Sequence, residues 1–220
     1  MSQATAIPAH DPVRQGAHGH AHDDAAAHHH PIYDYDSGPP VDRAKFAIWL
    51  FLATEVMFFT GLIGTYLVLR IGTSSWPNPE NRLAVPITAA NTFLLITSSW
   101  TMVRALHAIH NGSQKGLIRW LGCTILGGAT FVSVQVFEYL ELIHHGSLPS
   151  VDIFWSTFYA MTGFHGLHVV VGVIWLIAIW ISAVRGKFTP QNYLRVELAG
   201  LYWHFVDLVW VLLFTIVYLM

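Results

Sequence analysis

The 220-residue chain is 54% hydrophobic and only 11% charged, with a mean hydropathy of +0.47. So little charge cannot cover a water-facing surface, which excludes an ordinary soluble domain. A formal net charge of −2 offers no basic field for nucleic acid, and the single Cys123 excludes an intramolecular disulfide or a CxxC metal site.

Residues 1–42 differ from the rest. The stretch "HDPVRQGAHGHAHDDAAAHHHPIYDYDSGPP" is rich in His, Ala, Asp and Pro and has no apolar run of signal-peptide type. It reads as a disordered, solvent-exposed cytoplasmic tail, set apart from a transmembrane domain over 43–220. Histidine-rich tracts can bind Zn or Cu, but a plain flexible tail is the favoured reading.

From residue 44 onward, apolar runs alternate with short polar breaks, which predicts an all-α integral membrane bundle. Five transmembrane helices are expected at about 44–70, 85–109, 116–143, 152–184 and 196–219. Each supplies the ~20 residues that cross ~30 Å of hydrocarbon. The breaks "GTSSWPNPENR", "HNGSQKG", "HHGSLPS" and "RGKFTPQN" carry turn chemistry. Runs of this length are too long for barrel strands, the other structure that satisfies its backbone in lipid. Arg14, Arg43, Lys45, Arg104, Lys115, Arg119, Arg185, Lys187 and Arg195 fall on one side, against Arg70 and Arg82 on the other. This bias predicts a cytoplasmic N-terminus and a periplasmic C-terminus. Trp76, Trp120 and Trp155 suit headgroup-level contacts with lipids.

Charges at depth cost ~2.5–3.5 kcal/mol on insertion scales, so each calls for a partner. In the first span Glu55 lies about 13 Å from the cytoplasmic end; in the fifth, His204 and Asp207 lie at about 12 and 16 Å. A shared depth suggests one intramembrane cluster, proton-related or structural; separate partners for each residue are the competing expectation. In the third span Gln135, Glu138 and Glu141 form a stripe. A bundle metal site would need Glu-x-x-His motifs that no span contains, so inter-helix hydrogen bonding is expected.

The fourth span contains "TGFHGLHVVVGV". His165 and His168 look like metal ligands, yet a di-iron hydroxylase needs several histidine boxes, and His144–His145 adds only a loop pair. A bis-histidine haem would need a matching ligand, and His204 is the only other histidine deep within a span, His107 lying at a span end. Gly163, Gly166 and Gly172 point to a close helix seam, beside which His165 and His168 serve as packing groups. No metal and no catalytic residue is assigned. A stand-alone oxygenase is disfavoured by the shortage of histidine boxes. A transporter built around Glu55 is disfavoured by the lack of inverted repeats or broken helix pairs.

Four segments together resemble subunit III of the haem–copper cytochrome c oxidases. They are "ATEVMFFTG" with Glu55; "VPITAANTFLLITSSWTM" with Pro86, Asn91, Thr92, Ser98 and Ser99; "QVFEY" with Gln135, Glu138 and Tyr139; and the run from "STFYAMTGFHGLHVVVG" to "GLYWHFVDLVWVLLF". They span most of 44–219 in family order. Longer members carry two helices before the Glu-bearing one, so the lipid-filled cleft those helices form is not carried over.

The resemblance implies an accessory subunit without redox centres. Haems and copper would sit in subunits I and II, subunit I being the main contact. Cytochrome c would serve as donor to the whole complex, with structural phospholipids bound and no nucleic acid. It implies support of subunit I stability and proton uptake, in a bacterial inner membrane, within an aa3/caa3-type enzyme. A quinol oxidase or nitric-oxide-reductase-associated homologue is the alternative. Glu55 matches the family's carbodiimide-sensitive intramembrane glutamate. His107 and His110 are candidates for gathering protons at the cytoplasmic surface, since unperturbed His titrates near pH ~6.5; snorkelling end-of-helix histidines are the equal alternative.

Overall fold

The structure is a computed structural model that describes residues 42–74, 76 and 85–220. Apart from Asp42, the expected tail lies outside the described residues, as does Arg82.

Three turns show how local chemistry cuts the apolar sequence into helices. Gly112, Gly146 and Gly186 all adopt positive φ (72°, 76° and 69°), where a Cβ would be strained. At each the chain closes in the same way. Gly112 N–H bonds to Ile109 O and Ser113 N–H to Ala108 O. Gly146 and Ser147 bond to Ile143 O and Leu142 O, and Gly186 and Lys187 to Ala183 O and Ser182 O. This is the Schellman closure, which satisfies the last carbonyls of a helix. After the first two turns the next helix begins on a polar cap: Ser113 accepts from Gly116 N–H (3.3 Å) and Asp152 from Phe154 N–H (3.5 Å), as Asp42 does from Ala44 N–H (2.8 Å); α5, after the third, begins at Tyr193 without a side-chain cap.

The helices are α1 (Arg43–Gly72), α2 (Val85–His110), α3 (Gln114–His144), α4 (Ile153–Val184) and α5 (Leu194–Phe214). A π-helical turn, Thr215–Leu219, extends α5. No strand occurs among the described residues. The expected boundaries agree to within a few residues.

Four helices are long and apolar enough to cross a membrane: α1, α3, α4 and α5 with its π turn. The sequence predicted five spans; α2 does not meet that compositional test. The reason lies in its inner face. Thr88, Asn91, Thr92, Ser98, Ser99 and Thr101 are all buried, while Phe93, Ile96, Trp100 and Val103 point outward. α2 is polar inside and apolar outside, which lowers its average without exposing its polarity.

Helices α2, α3, α4 and α5 pack as a ring, each on the next and α5 back on α2. Trp203, Trp210, Phe131, Phe158, Leu95 and Met102 fill its centre, each at most 2% exposed. Close approach is set by glycine. A Cβ on Gly127 would meet Ser98 Cβ at 2.7 Å, and one on Gly128 would meet the Trp203 ring at 2.4 Å. α1 lies outside the ring against α4 and α5. It buries only Leu52, Phe59 and Tyr66, seven residues apart, and so makes contact along a narrow seam.

Candidate functional site

The inward polar residues of α2 are each matched by a group on another helix. Trp203 Nε1–H on α5 donates to Ser98 Oγ (3.1 Å) and Trp210 Nε1–H to Thr92 Oγ1 (2.9 Å). The hydroxyls of Thr101 and Thr124 (α3) meet at 2.8 Å, and Asn91 Nδ2–H donates to Phe131 O at 3.3 Å. Buried polar groups must be paired, so these bonds fix the rotation of α2 within the ring.

Glu55 lies on α1 three residues after Leu52 and four before Phe59, on the edge of the seam that faces α4. Its Oε2 is 3.0 Å from His168 Nε2, and the two side chains are 17% and 18% exposed. His168 Nδ1 lies 2.7 Å from Phe164 O, a carbonyl that can only accept. Nδ1 therefore carries a proton. The bond between Nε2 and Oε2 then needs one more, held either as imidazolium beside carboxylate or as neutral imidazole beside carboxylic acid. In both forms the pair stores one proton. Tyr202 O–H donates to His168 O (3.0 Å) and joins α5 to the same point. Phe51, Leu167, Val171 and Trp175 complete an apolar groove around the pair.

Sequence reasoning grouped Glu55 with His204 and Asp207. The structure divides that grouping. His204 Nδ1 lies 2.5 Å from Ser99 Oγ on α2, and Asp207 lies against the same Ser99. Asp207 Oδ1 is buried without a partner. Among the described residues no hydrogen bond joins either to Glu55. Helical rise gives depth but not azimuth, and α5 turns His204 toward α2. Part of the imidazole still borders a second groove, lined on the α1 side by Trp49, Leu52, Ala53 and Val56.

The two histidines of α4 differ sharply. His168 meets α1, whereas His165 is 0% exposed and neither ring nitrogen has a partner. His165 stacks on Trp210 (centroids 4.9 Å, 29°) and faces the edge of Phe131 at 6.0 Å. Gly172 lies under the Trp203 and Tyr202 rings (3.1 Å from a built Cβ), and Gly166 lies against the Gln135 amide (3.1 Å). Gly163 has room to spare, its nearest atom being Tyr139 Oη at 3.8 Å.

The stripe on α3 meets three elements. Gln135 Nε2–H donates to Thr162 O (3.0 Å), and Tyr139 Oη lies 2.6 Å from Thr162 Oγ1. Glu138 Oε1 accepts from Thr88 (3.3 Å) and from Tyr218 (3.2 Å), which the π turn aims inward. Glu141 is exposed. At the opposite end of the bundle Asn111 donates to His107 Nε2 at 2.9 Å, and the His110 ring lies 4.1 Å from that of Tyr193. Lys45 pairs with Glu197 at 2.8 Å, tying α1 to the start of α5. Among the described residues no group of three or more His, Cys, Asp or Glu could hold a metal.

Sequence reasoning missed the pairing of Glu55 with His168, the Trp203–Ser98 and Trp210–Thr92 bonds, and the glycine pair at 127–128. The "GG" in α3 and the indole-rich α5 were the available signals; partner identity was not among them.

Comparison with known proteins shows the family. A family model described as cytochrome c oxidase subunit III matches residues 39–220. Quinol oxidase subunit 3 of Bacillus subtilis is 38% identical over 172 residues, covering 78% of this chain and 84% of that protein. Cytochrome c oxidase subunit 3 of Synechocystis is 38% identical over 208 residues, covering 93% and 80%. Cytochrome bo(3) ubiquinol oxidase subunit 3 of Pseudomonas aeruginosa is 36% identical over 202 residues, covering 92% and 91%. The chain belongs to the cytochrome c oxidase subunit III family of the haem–copper oxidases.

Proposed function

We propose that this chain is the accessory, non-redox subunit III of a proton-pumping cytochrome c oxidase of the aa3/caa3 type in a bacterial inner membrane. The observation that carries the reading is the family match over residues 39–220. In this reading all five helices cross the membrane, α2 included, because its polar face is turned inward. The N-terminus and the His-rich tail of residues 1–42 are cytoplasmic and the C-terminus is periplasmic, as the Lys and Arg distribution favours. Residues 43–220 form the transmembrane domain.

Subunit I is the main contact, with subunit II beside it. Those two hold the haems and copper, and cytochrome c feeds the complex. This chain stabilises subunit I and supports proton uptake. Glu55 with His168 is the proton-related element, since that pair holds a proton at membrane depth. His204 and Asp207 with Ser99, and Gln135, Glu138 and His165, serve helix packing. His107 and His110 collect protons at the cytoplasmic surface, next to Lys115 and Arg119. Replacing both histidines should slow proton uptake by the complex; unchanged uptake would remove them from the scheme.

A second reading is subunit III of a quinol oxidase, which the names of the Bacillus subtilis and Pseudomonas aeruginosa relatives favour. Affinity purification of the tagged chain in mild detergent decides between them. A copper-binding subunit with bound or fused cytochrome c supports the first reading. A haem–copper complex oxidising quinol supports the second, and absence of any haem–copper subunit refutes both.

A further inference from the structure

Arg104 has no role in the readings above. It is exposed on the outer face of α2, and its guanidinium carbon lies 5.7 Å from the Trp100 ring centroid and 5.2 Å from that of Trp120 on α3. The two indoles meet edge to face at 5.5 Å. Arg104 stands six residues before the end of α2, so its Cα is about 9 Å below the helix end. Helical side chains lean toward the N-terminus, so the guanidinium folds back over Trp100, one turn deeper, instead of reaching past the turn.

Ring faces attract a guanidinium, but they leave its planar fork of N–H donors unmatched. Among the described residues no carboxylate pairs with Arg104; the ion pairs there are Lys45–Glu197 and Glu55–His168. Lys115 and Arg119 are exposed on the first turns of α3, at the same end of the hairpin, and are likewise unpaired. The surrounding outer surface is apolar, with Ile96 46% and Val103 52% exposed. Among the described residues, the hairpin end thus presents three cations, two indoles and a lipid-compatible wall, and neither α2 nor the first two turns of α3 carries a carboxylate.

We propose that Arg104, Trp100 and Trp120 form a binding site for the phosphate of an anionic phospholipid. The guanidinium fork donates two N–H groups to phosphate oxygens. The indoles pack the glycerol and upper acyl region, where tryptophan is favoured. Lys115 and Arg119 add attraction for a negatively charged headgroup. A carboxylate from a neighbouring chain would match one fork, whereas three cations at one end of the hairpin match a phosphate surface.

The site rests on α2 crossing the membrane. That premise is tested separately by attaching an impermeant maleimide, in a Cys123→Ser background, to Ser74→Cys and Ser113→Cys, which lie on either side of α2. Labelling of both on one side would remove the premise.

The test of the site is native mass spectrometry of the full chain with its co-purifying partners, titrated with phosphatidylglycerol or phosphatidylcholine. Arg104→Gln should weaken phosphatidylglycerol retention about tenfold, the size expected for a charge-assisted pair. Arg104→Lys should fall between, and Arg185→Gln, an exposed helix-end cation outside this cage, should match wild type. A benzophenone side chain at position 103 should capture lipid. Unchanged retention in Arg104→Gln, equal loss in Arg185→Gln, equal binding of both lipids, or capture of protein at position 103 would each overturn the proposal.

Discussion

Gly128→Ala tests the claim that a glycine on α3 makes the room that the Trp203 ring of α5 needs inside the bundle. The added methyl would sit 2.4 and 2.9 Å from two Trp203 ring carbons and 2.9 Å from Val173 Cγ2. Trp203 is 1% exposed and its Nε1–H is held by Ser98 Oγ, so the ring cannot retreat without giving up that bond. Overpacking of this kind costs about 1–3 kcal/mol, and the strained hydrogen bond contributes up to about 1 kcal/mol more. Better helix propensity returns at most about 1 kcal/mol.

The net expectation is roughly 2 kcal/mol of destabilisation, or about 4–8 °C in Tm for a domain of this size. The assay is thermal unfolding in detergent followed by tryptophan fluorescence. Gly61→Ala, whose methyl would meet nothing within 4 Å, and Gly122→Ala, 3.6 Å from Trp180 Nε1, are the controls and should be neutral or slightly stabilising. If Gly128→Ala melts with the controls, the tight fit of Trp203 and Val173 against Gly128 does not limit the packing of the bundle.

Removing His168 with Leu should destabilise by about 3–5 kcal/mol because it leaves the Glu55 charge unpaired, whereas Glu55→Gln, whose amide can still donate to Nε2, should cost about 1 kcal/mol; equal losses in unfolding experiments would refute the shared-proton description. Tyr218→Phe removes the π-turn donor to Glu138 and should cost about 1–2 kcal/mol in the same assay, with no loss if Thr88 alone satisfies the carboxyl. Trp210→Phe deletes the donor to Thr92 and one face of the His165 stack; a fall of about 1–3 kcal/mol is expected, and an unchanged melt would show that the buried imidazole needs no indole. In a Cys123→Ser background, impermeant maleimide applied from the periplasmic side should label Ser147→Cys and spare Ser113→Cys, and the reverse pattern would invert the topology.

The helices were legible because lipid-length apolar runs and glycine-marked turns are local signals. "HNGS", "HHGS" and "VRGK" each place glycine where the Schellman closure requires it. The depth of Glu55 and His204 was legible too, since rise per residue is fixed. Azimuth was not: the rotation of α5 is set by Trp203 and Trp210 reaching Ser98 and Thr92 across more than a hundred residues. The same limit hid the split between His165 and His168. Three residues apart on one helix, one is sealed among aromatic rings and the other is a proton-bearing contact with α1. Residue type suggested packing for both, and only tertiary placement separates a silent ring from a bonded one.

The narrow α1 seam has a consequence for synthesis. α1 is made before the other four helices, yet its polar anchors come late: Glu55 waits for His168, 113 residues downstream, Lys45 for Glu197 on α5, and Arg70 for the carbonyl of Met220. At ~5–20 residues per second, Glu55 spends about 6–23 s in the nascent chain before its imidazole exists. The ring of α2 to α5 can close in hairpin order as each helix emerges, but α1 has no docking surface until the fourth and fifth helices arrive. Among the five helices, α1 is therefore made before the others and seated after them.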